Sequence, residues 1–207
     1  MTLVTADPAV KTISIVNKEI MDKTVPTELI RTFLIETLPQ PLTRASSHLQ
    51  IFDNYILGTR LRLRSVRDPA TRVWSRSLQQ RYPAHAGGSR IIWKTAELHL
   101  DEAEYSRFEI FEGDEIRKNR YFHEYDGLSF ALDVYIGPLW GLNTAKISFR
   151  NWEEAEQFVP PPFAIFEVTA HEFFDGVNLV GKTIADVQNE MASIGTETLV
   201  ISEAADE

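Results

Sequence analysis

The segment at 59–64 reads Thr-Arg-Leu-Arg-Leu-Arg. Strict alternation of basic and apolar residues has period 2, the repeat of a β-strand, so Arg60, Arg62 and Arg64 share one face and Leu61 and Leu63 the other. Two arrangements satisfy this pattern. On an edge strand the leucines face a core and the arginines sit in water, where their charge discourages edge-to-edge association. In a closed barrel with helices packed outside, the leucines pack outward and the arginines point into the lumen. Three guanidinium groups in an enclosed lumen repel one another and require carboxylates or an anion between them. Guanidinium forks match phosphate oxygens in geometry.

A second segment of the same kind bears on the choice. Residues 116–122 put Lys118 and Arg120 on one strand face and Asn119 and Tyr121 on the other. Residues 132–135, Leu-Asp-Val-Tyr, set Asp133 inside an apolar strand, where an acid is rarely buried unless it meets a cation or a metal. Charge is also unevenly spread. Arg60, Arg62, Arg64, Arg67, Arg72, Arg76 and Arg81 crowd residues 60–81 with only Asp68 opposing them, in a chain whose formal net charge is −9. That balance argues against a general nucleic-acid binder, and the basic stripe reads as a local anion site.

The remaining punctuation predicts many strands and few helices. Strands are expected around 13–16 and at 28–35, 51–57, 59–66, 72–79, 90–98, 116–124, 128–136, 143–149 and 165–168. Asp126–Gly127 is a hairpin turn signal. Residues 42–50 could form a short helix capped by Thr43. Asp101 and Asn151 are the N-caps of two more, and 175–195 include a C-terminal helix ahead of a frayed acidic tail. Residues 84–89 read as a loop. Many strands with few helices suggest an α+β fold, a closed antiparallel β-barrel with peripheral helices. Its parts are a leader at 1–25, the barrel at 26–182, and a helix and tail at 183–207.

With no cysteine, the chain has no disulfide, thiolate metal site or cysteine nucleophile. The start lacks a basic region followed by a long apolar one, and no apolar run is long enough to span a bilayer, so a cytoplasmic protein without membrane association is expected. The five histidines show no metal-ligand spacing, and no nucleophile elbow, Walker-type loop or dinucleotide fingerprint occurs. No catalytic residue is assigned.

Taken in order, these segments resemble the CYTH family, the triphosphate tunnel metalloenzymes. The resemblance runs from Ile-Arg-Thr-Phe-Leu-Ile at 30–35 through the arginine strand at 53–64 and Ser-Leu-Gln-Gln-Arg-Tyr-Pro at 77–83. It continues through 118–121, 132–142 and 145–149 to Glu-Val-Thr at 167–169 and Asn178-Leu179. It implies an eight-stranded tunnel that binds a triphosphate, with basic side chains on the phosphates and carboxylates on Mg²⁺ or Mn²⁺. Family reactions include hydrolysis of inorganic triphosphate, thiamine triphosphate or RNA 5′-triphosphate ends, and cyclisation of ATP. Carried over to this chain, the phosphate-binding set is Arg60, Arg62, Arg76, Lys94, Lys118 and Arg120. The metal-holding set is Glu28, Glu97 and Asp133, and the partner is a triphosphate-containing small molecule or polyphosphate.

The departures are one-sided. The family's Glu-x-Glu-x-Lys signature reads Glu28, Ile30, Thr32 here; Trp93 and Thr95 stand where acids are common, Ala131 replaces the acid two residues before Asp133, and Lys146 and Ser148 replace paired glutamates. The lysine of the third strand aligns with either Arg76 or Ser77. The basic half persists and the acidic half is depleted. Two functions are thereby set side by side, a triphosphate or polyphosphate phosphohydrolase-like protein with weakened metal-dependent hydrolysis, and a non-catalytic anion- or nucleotide-binding or partner-scaffold module of the same fold.

Overall fold

A computed structural model describes residues 27–85, 91–111 and 113–205. The expected leader and its strand around 13–16 lie outside the described residues. The strands are β1 (Thr27–Leu34), β2 (Leu49–Tyr55), β3 (Leu61–Arg67), β4 (Trp74–His85), β5 (Ile91–Leu100), β6 (Glu115–Tyr125), β7 (Leu128–Ile136), β8 (Asn143–Phe149) and the two-residue β9 (Phe166–Glu167). The helices are α1 (Glu102–Ser106), α2 (Trp152–Gln157), α3 (Gly176–Leu179) and α4 (Ile184–Ala205).

All pairings are antiparallel. They run β1-β5-β4-β3-β2-β6-β7-β8 and return to β1, so eight strands close into a barrel. Closure removes the exposed sheet edges that an open sheet of this size would leave. On β1 only Thr27 and Glu28 pair with β5, and further along β9 caps Phe33 and Leu34. Between them the Thr169 hydroxyl accepts from the Thr32 amide, and the Val168 amide donates to the Thr32 carbonyl. The chain after α2 thus satisfies the stretch of β1 that β5 leaves bare.

Apolar packing sits in two places. Phe33, Tyr121, Phe130, Leu132, Ala145 and Ile147 pack with Phe149, Phe158 and Phe163 against the outer wall of β1, β6, β7 and β8. Leu34, Ile116, Tyr135, Leu139, Leu142, Val168, Leu179 and Val187 form a second cluster, which brings α3 and α4 onto one end of the barrel. Gly176 in α3 lies so close to Tyr55 that a Cβ would fall 1.8 Å from the phenol oxygen, so only glycine lets this segment seat there.

Local chemistry explains most boundaries. The β6–β7 turn places Asp126 at φ 51° and Gly127 at φ 73°, the left-handed pair of a two-residue hairpin. Gly127→Ala is expected to lower stability by about 1 kcal/mol, read by chemical denaturation, because a Cβ is disfavoured at that φ. Asp101 caps α1 in a reciprocal capping box with Glu104, and the Asn151 side chain accepts from the Glu154 amide at the start of α2.

Three expectations are corrected. Residues 42–50 are not a helix: Thr43 accepts from the Ala45 amide and its own amide donates to Ser46, which diverts the backbone into a turn, and β2 then begins at Leu49. The loop expected at 84–89 starts later, since β4 runs through His85 opposite Ile91, and 86–90 lie outside the described residues. The tail is helical through Ala205, with no proline after Ile184 to break it. No helix among the described residues is long and apolar enough to cross a membrane.

Candidate functional site

Side chains that alternate into the lumen line one cavity of about 650 Å³. β3 contributes Arg62 and Arg64, β4 Gln79 and Arg81, β6 Lys118 and Arg120, and β8 Lys146. The carboxylates on its wall are Glu28, Asp53, Glu97 and Asp175. Leu63 is buried on the opposite face of β3, so the arginine strand takes the lumen-facing arrangement.

Two aspartates organise the cations. Arg64 grips Asp53 with both forks, Nε to Oδ1 at 2.6 Å and Nη2 to Oδ2 at 2.7 Å. Arg62 lies 3.7 Å from the same carboxylate and donates to Gln79 Oε1 at 2.8 Å and to the Tyr55 hydroxyl at 3.2 Å. Asp133 is gripped in the same way by Arg120, at 2.6 and 2.8 Å. Lys118 bridges the two, its Nζ 2.9 Å from Asp133 and 3.8 Å from Asp53, and Lys146 Nζ lies 3.8 Å from Asp133. Five cations therefore share two carboxylates. Both aspartates are almost wholly buried, at 1% and 0% exposure.

The electrostatics follow from that ratio. Burial alone would raise the Asp53 carboxyl, but Arg62, Arg64 and Lys118 outweigh it and hold it well below the carboxylate range. Asp133 behaves alike: burial opposes ionisation, and Lys118, Arg120 and Lys146 overcome it. Burial pushes the Lys118 ammonium down to about 8 against the pull of Asp133 and Asp53. Burial, then repulsion from Lys118, push Lys146 well below its ordinary value, although 26% of its side chain reaches the cavity, where water limits the effect. A polyanion in the cavity would favour the charged form of both lysines.

Asp175 differs, because burial raises its carboxyl to about 6, Glu172 adds to this, and Arg81 and Lys146 only partly oppose it. The native state then holds more protons than the unfolded chain between pH 3.8 and about 6, so this group's contribution falls as pH rises through that window. Asp175→Asn is expected to raise stability by about 1–2 kcal/mol at pH 7, after discounting for solvent, and to leave it unchanged below pH 4. Denaturation across pH 4–7 checks both limbs.

The expected site residues divide. Arg62, Lys118, Arg120, Glu28 and Glu97 line the cavity. Asp133 sits behind the wall, committed to its cations. Arg60 precedes β3 and is exposed, its guanidinium 5.2 Å over the Tyr82 ring. Arg76 turns outward, 3.7 Å from Glu102 and stacked near Trp74 and Tyr105, while its neighbour Ser77 has the lumen-facing parity of Gln79. Lys94 is buried but lies between the lumen-facing Trp93 and Thr95 and does not line the cavity. Asp53, Arg64, Gln79, Arg81, Lys146 and Asp175 were not in the expected set. Asp53 carries the signal that singles out Asp133, an acid within an apolar strand. Arg81 shares parity with Gln79, which pairs across from Arg62.

Glu28 pairs with Trp93, and Glu97 stands four residues further along β5. At strand rise that is about 13 Å, so the two acids open onto different levels of the cavity. Among the described residues no three His, Asp or Glu side chains gather to hold a metal ion.

The chain is 29% identical over 154 residues to an inorganic triphosphatase from Nitrosomonas europaea, an alignment that covers 69% of this chain and 89% of that protein. The crystal structure of the hypothetical protein NE1496 matches with a TM-score of 0.53 and 23% identity, over 75% of this chain and 99% of that one. That of the inorganic triphosphatase NE1496 matches with a TM-score of 0.51 and 22% identity, over 74% and 93%. No protein-family model matches the chain. In sequence the chain is thus a homologue of an inorganic triphosphatase, and the two solved structures share its closed antiparallel barrel.

Proposed function

We propose that this protein binds a triphosphate, free or as part of a small molecule, or a longer polyphosphate, inside its barrel, as a tunnel-type phosphohydrolase-like protein. The observation that carries this is the five-to-two ratio of Arg62, Arg64, Lys118, Arg120 and Lys146 to Asp53 and Asp133. Buried and partly buried cations that outnumber the carboxylates they contact are costly unless an anion completes the set. Phosphate oxygens suit the arginine forks, and a chain of phosphates can meet several levels of the wall at once. Similarity to an inorganic triphosphatase supports the same substrate class.

Mg²⁺ or Mn²⁺, the cofactor that the resemblance implies, fits these residues poorly. A hard divalent ion takes oxygen ligands, including one or two carboxylates. Asp53 and Asp133 are engaged by arginine and lysine, Glu97 accepts from Gln79 at 2.6 Å, and Glu28 lies on another level. No hydrolytic step is therefore routed through a metal here. The saturation of both aspartates favours a second reading, a module that binds the anion without turnover.

The test is thermal unfolding with inorganic triphosphate, ATP and thiamine triphosphate, alongside phosphate release in Mg²⁺, Mn²⁺ and EDTA. Stabilisation with metal-dependent release supports the phosphohydrolase. Stabilisation without release supports the module. Absence of both removes the reading.

A further inference from the structure

Resting on that reading, we propose that triphosphate binding in this barrel is independent of divalent cations, with the Lys146 ammonium supplying positive charge on the wall formed by β1, β8 and β7. The register carries the argument. Thr32 pairs with Lys146, which pairs with Ala131, and Ile30 pairs with Ser148 on the next level. These five residues all line the cavity, and none is a carboxylate. A bridging metal at these two levels would find no carboxylate among the paired side chains, since Glu28 lies one lumen-facing position before Ile30 on β1. It would instead face Lys146, whose Nζ is 3.8 Å from Asp133, with Lys118 2.9 Å from the same oxygen and Arg120 holding both.

Asp133 cannot serve as a ligand without releasing three cations. Arg120 and Lys146 would then lie partly buried without that counter-charge, and Lys118 would keep only its 3.8 Å contact with Asp53, a costly arrangement for charges shielded from water. Lys146, whose charged form the bound polyanion favours, needs no such exchange. It reaches the cavity and has three donors for phosphate oxygens. Magnesium in solution competes instead, because it pairs with triphosphate and lowers the negative charge that the wall recognises.

Calorimetric titration of the full chain with inorganic triphosphate at pH 7 tests this in EDTA and in excess Mg²⁺. The expected result is binding in EDTA at least as tight as in Mg²⁺. Lys146→Met should weaken binding in EDTA by about 10- to 100-fold, the range for a charged hydrogen bond, and Lys146→Arg should restore most of it. Circular dichroism confirms that each variant is folded. Binding in Mg²⁺ alone overturns the inference and leaves the proposed function standing. No binding in either condition takes down both. Unchanged affinity in Lys146→Met overturns the role given to Lys146.

Discussion

Replacing Asp133 with asparagine is expected to destabilise the protein by about 3–5 kcal/mol, the usual cost of removing one member of a buried ion cluster. Asp133 is wholly buried and is the shared partner of Arg120, Lys118 and Lys146. The amide keeps the volume and discards the charge, so the loss is electrostatic rather than a cavity. Urea denaturation at low ionic strength reads it.

Two further readouts separate this origin from a packing defect. The carboxyl is held well below 3.8, so its stabilisation is fully present above that pH and is lost as pH falls through the lower folded value. Asp133→Asn should therefore lose part of the acid dependence that the native protein shows below pH 4, while the part due to Asp53 remains. Inorganic triphosphate should recover part of the loss, since it supplies negative charge to the same cations. A variant within 1 kcal/mol of the native protein at pH 7 would mean that the network does not hold the barrel.

Charge reversal at Arg62 should abolish stabilisation by inorganic triphosphate. A ligand at a hundred times its Kd stabilises by about 2.7 kcal/mol, and that shift is the signal to be lost. Arg62 is suited to the test because both oxygens of Asp53 are already bonded by Arg64, so the aspartate remains paired without it. Arg62→Glu puts a second carboxylate beside Asp53 and turns attraction into repulsion. Arg62→Gln removes the charge alone and should keep part of the shift. Differential scanning calorimetry with and without ligand compares the three. Full stabilisation of Arg62→Glu would place the anion outside the cavity.

Much of the fold was readable along the chain, because its signals are local. The left-handed pair Asp126–Gly127, the caps at Asp101 and Asn151, and the period-2 runs each act over a few residues. The same holds for the shared face of Lys118 and Arg120, and for the rule that Asp133 must meet a cation. The helix expected at 42–50 failed at the same scale, where Thr43 and Ser46 hydrogen bonds compete with helix nucleation. The family resemblance carries Arg76 and Lys94 into the phosphate-binding set, but parity turns Arg76 outward and sets Lys94 between the lumen-facing Trp93 and Thr95.

Alternation along each strand dictates which residues share a face, and turn and cap chemistry dictate where strands and helices end. Neither says which strand lies beside which, or how far one is slid against the next. That is decided by strand pairing, which sets Asp53 on β2 opposite Arg64 of β3 and beside β6, and Asp133 on β7 opposite Arg120 of β6 and beside β8, while closure where β1 meets both β5 and β8 encloses the two clusters in one lumen. Coulomb interactions between groups brought together across strands have no signature in sequence separation, so the surplus of positive charge at the centre becomes visible only in three dimensions.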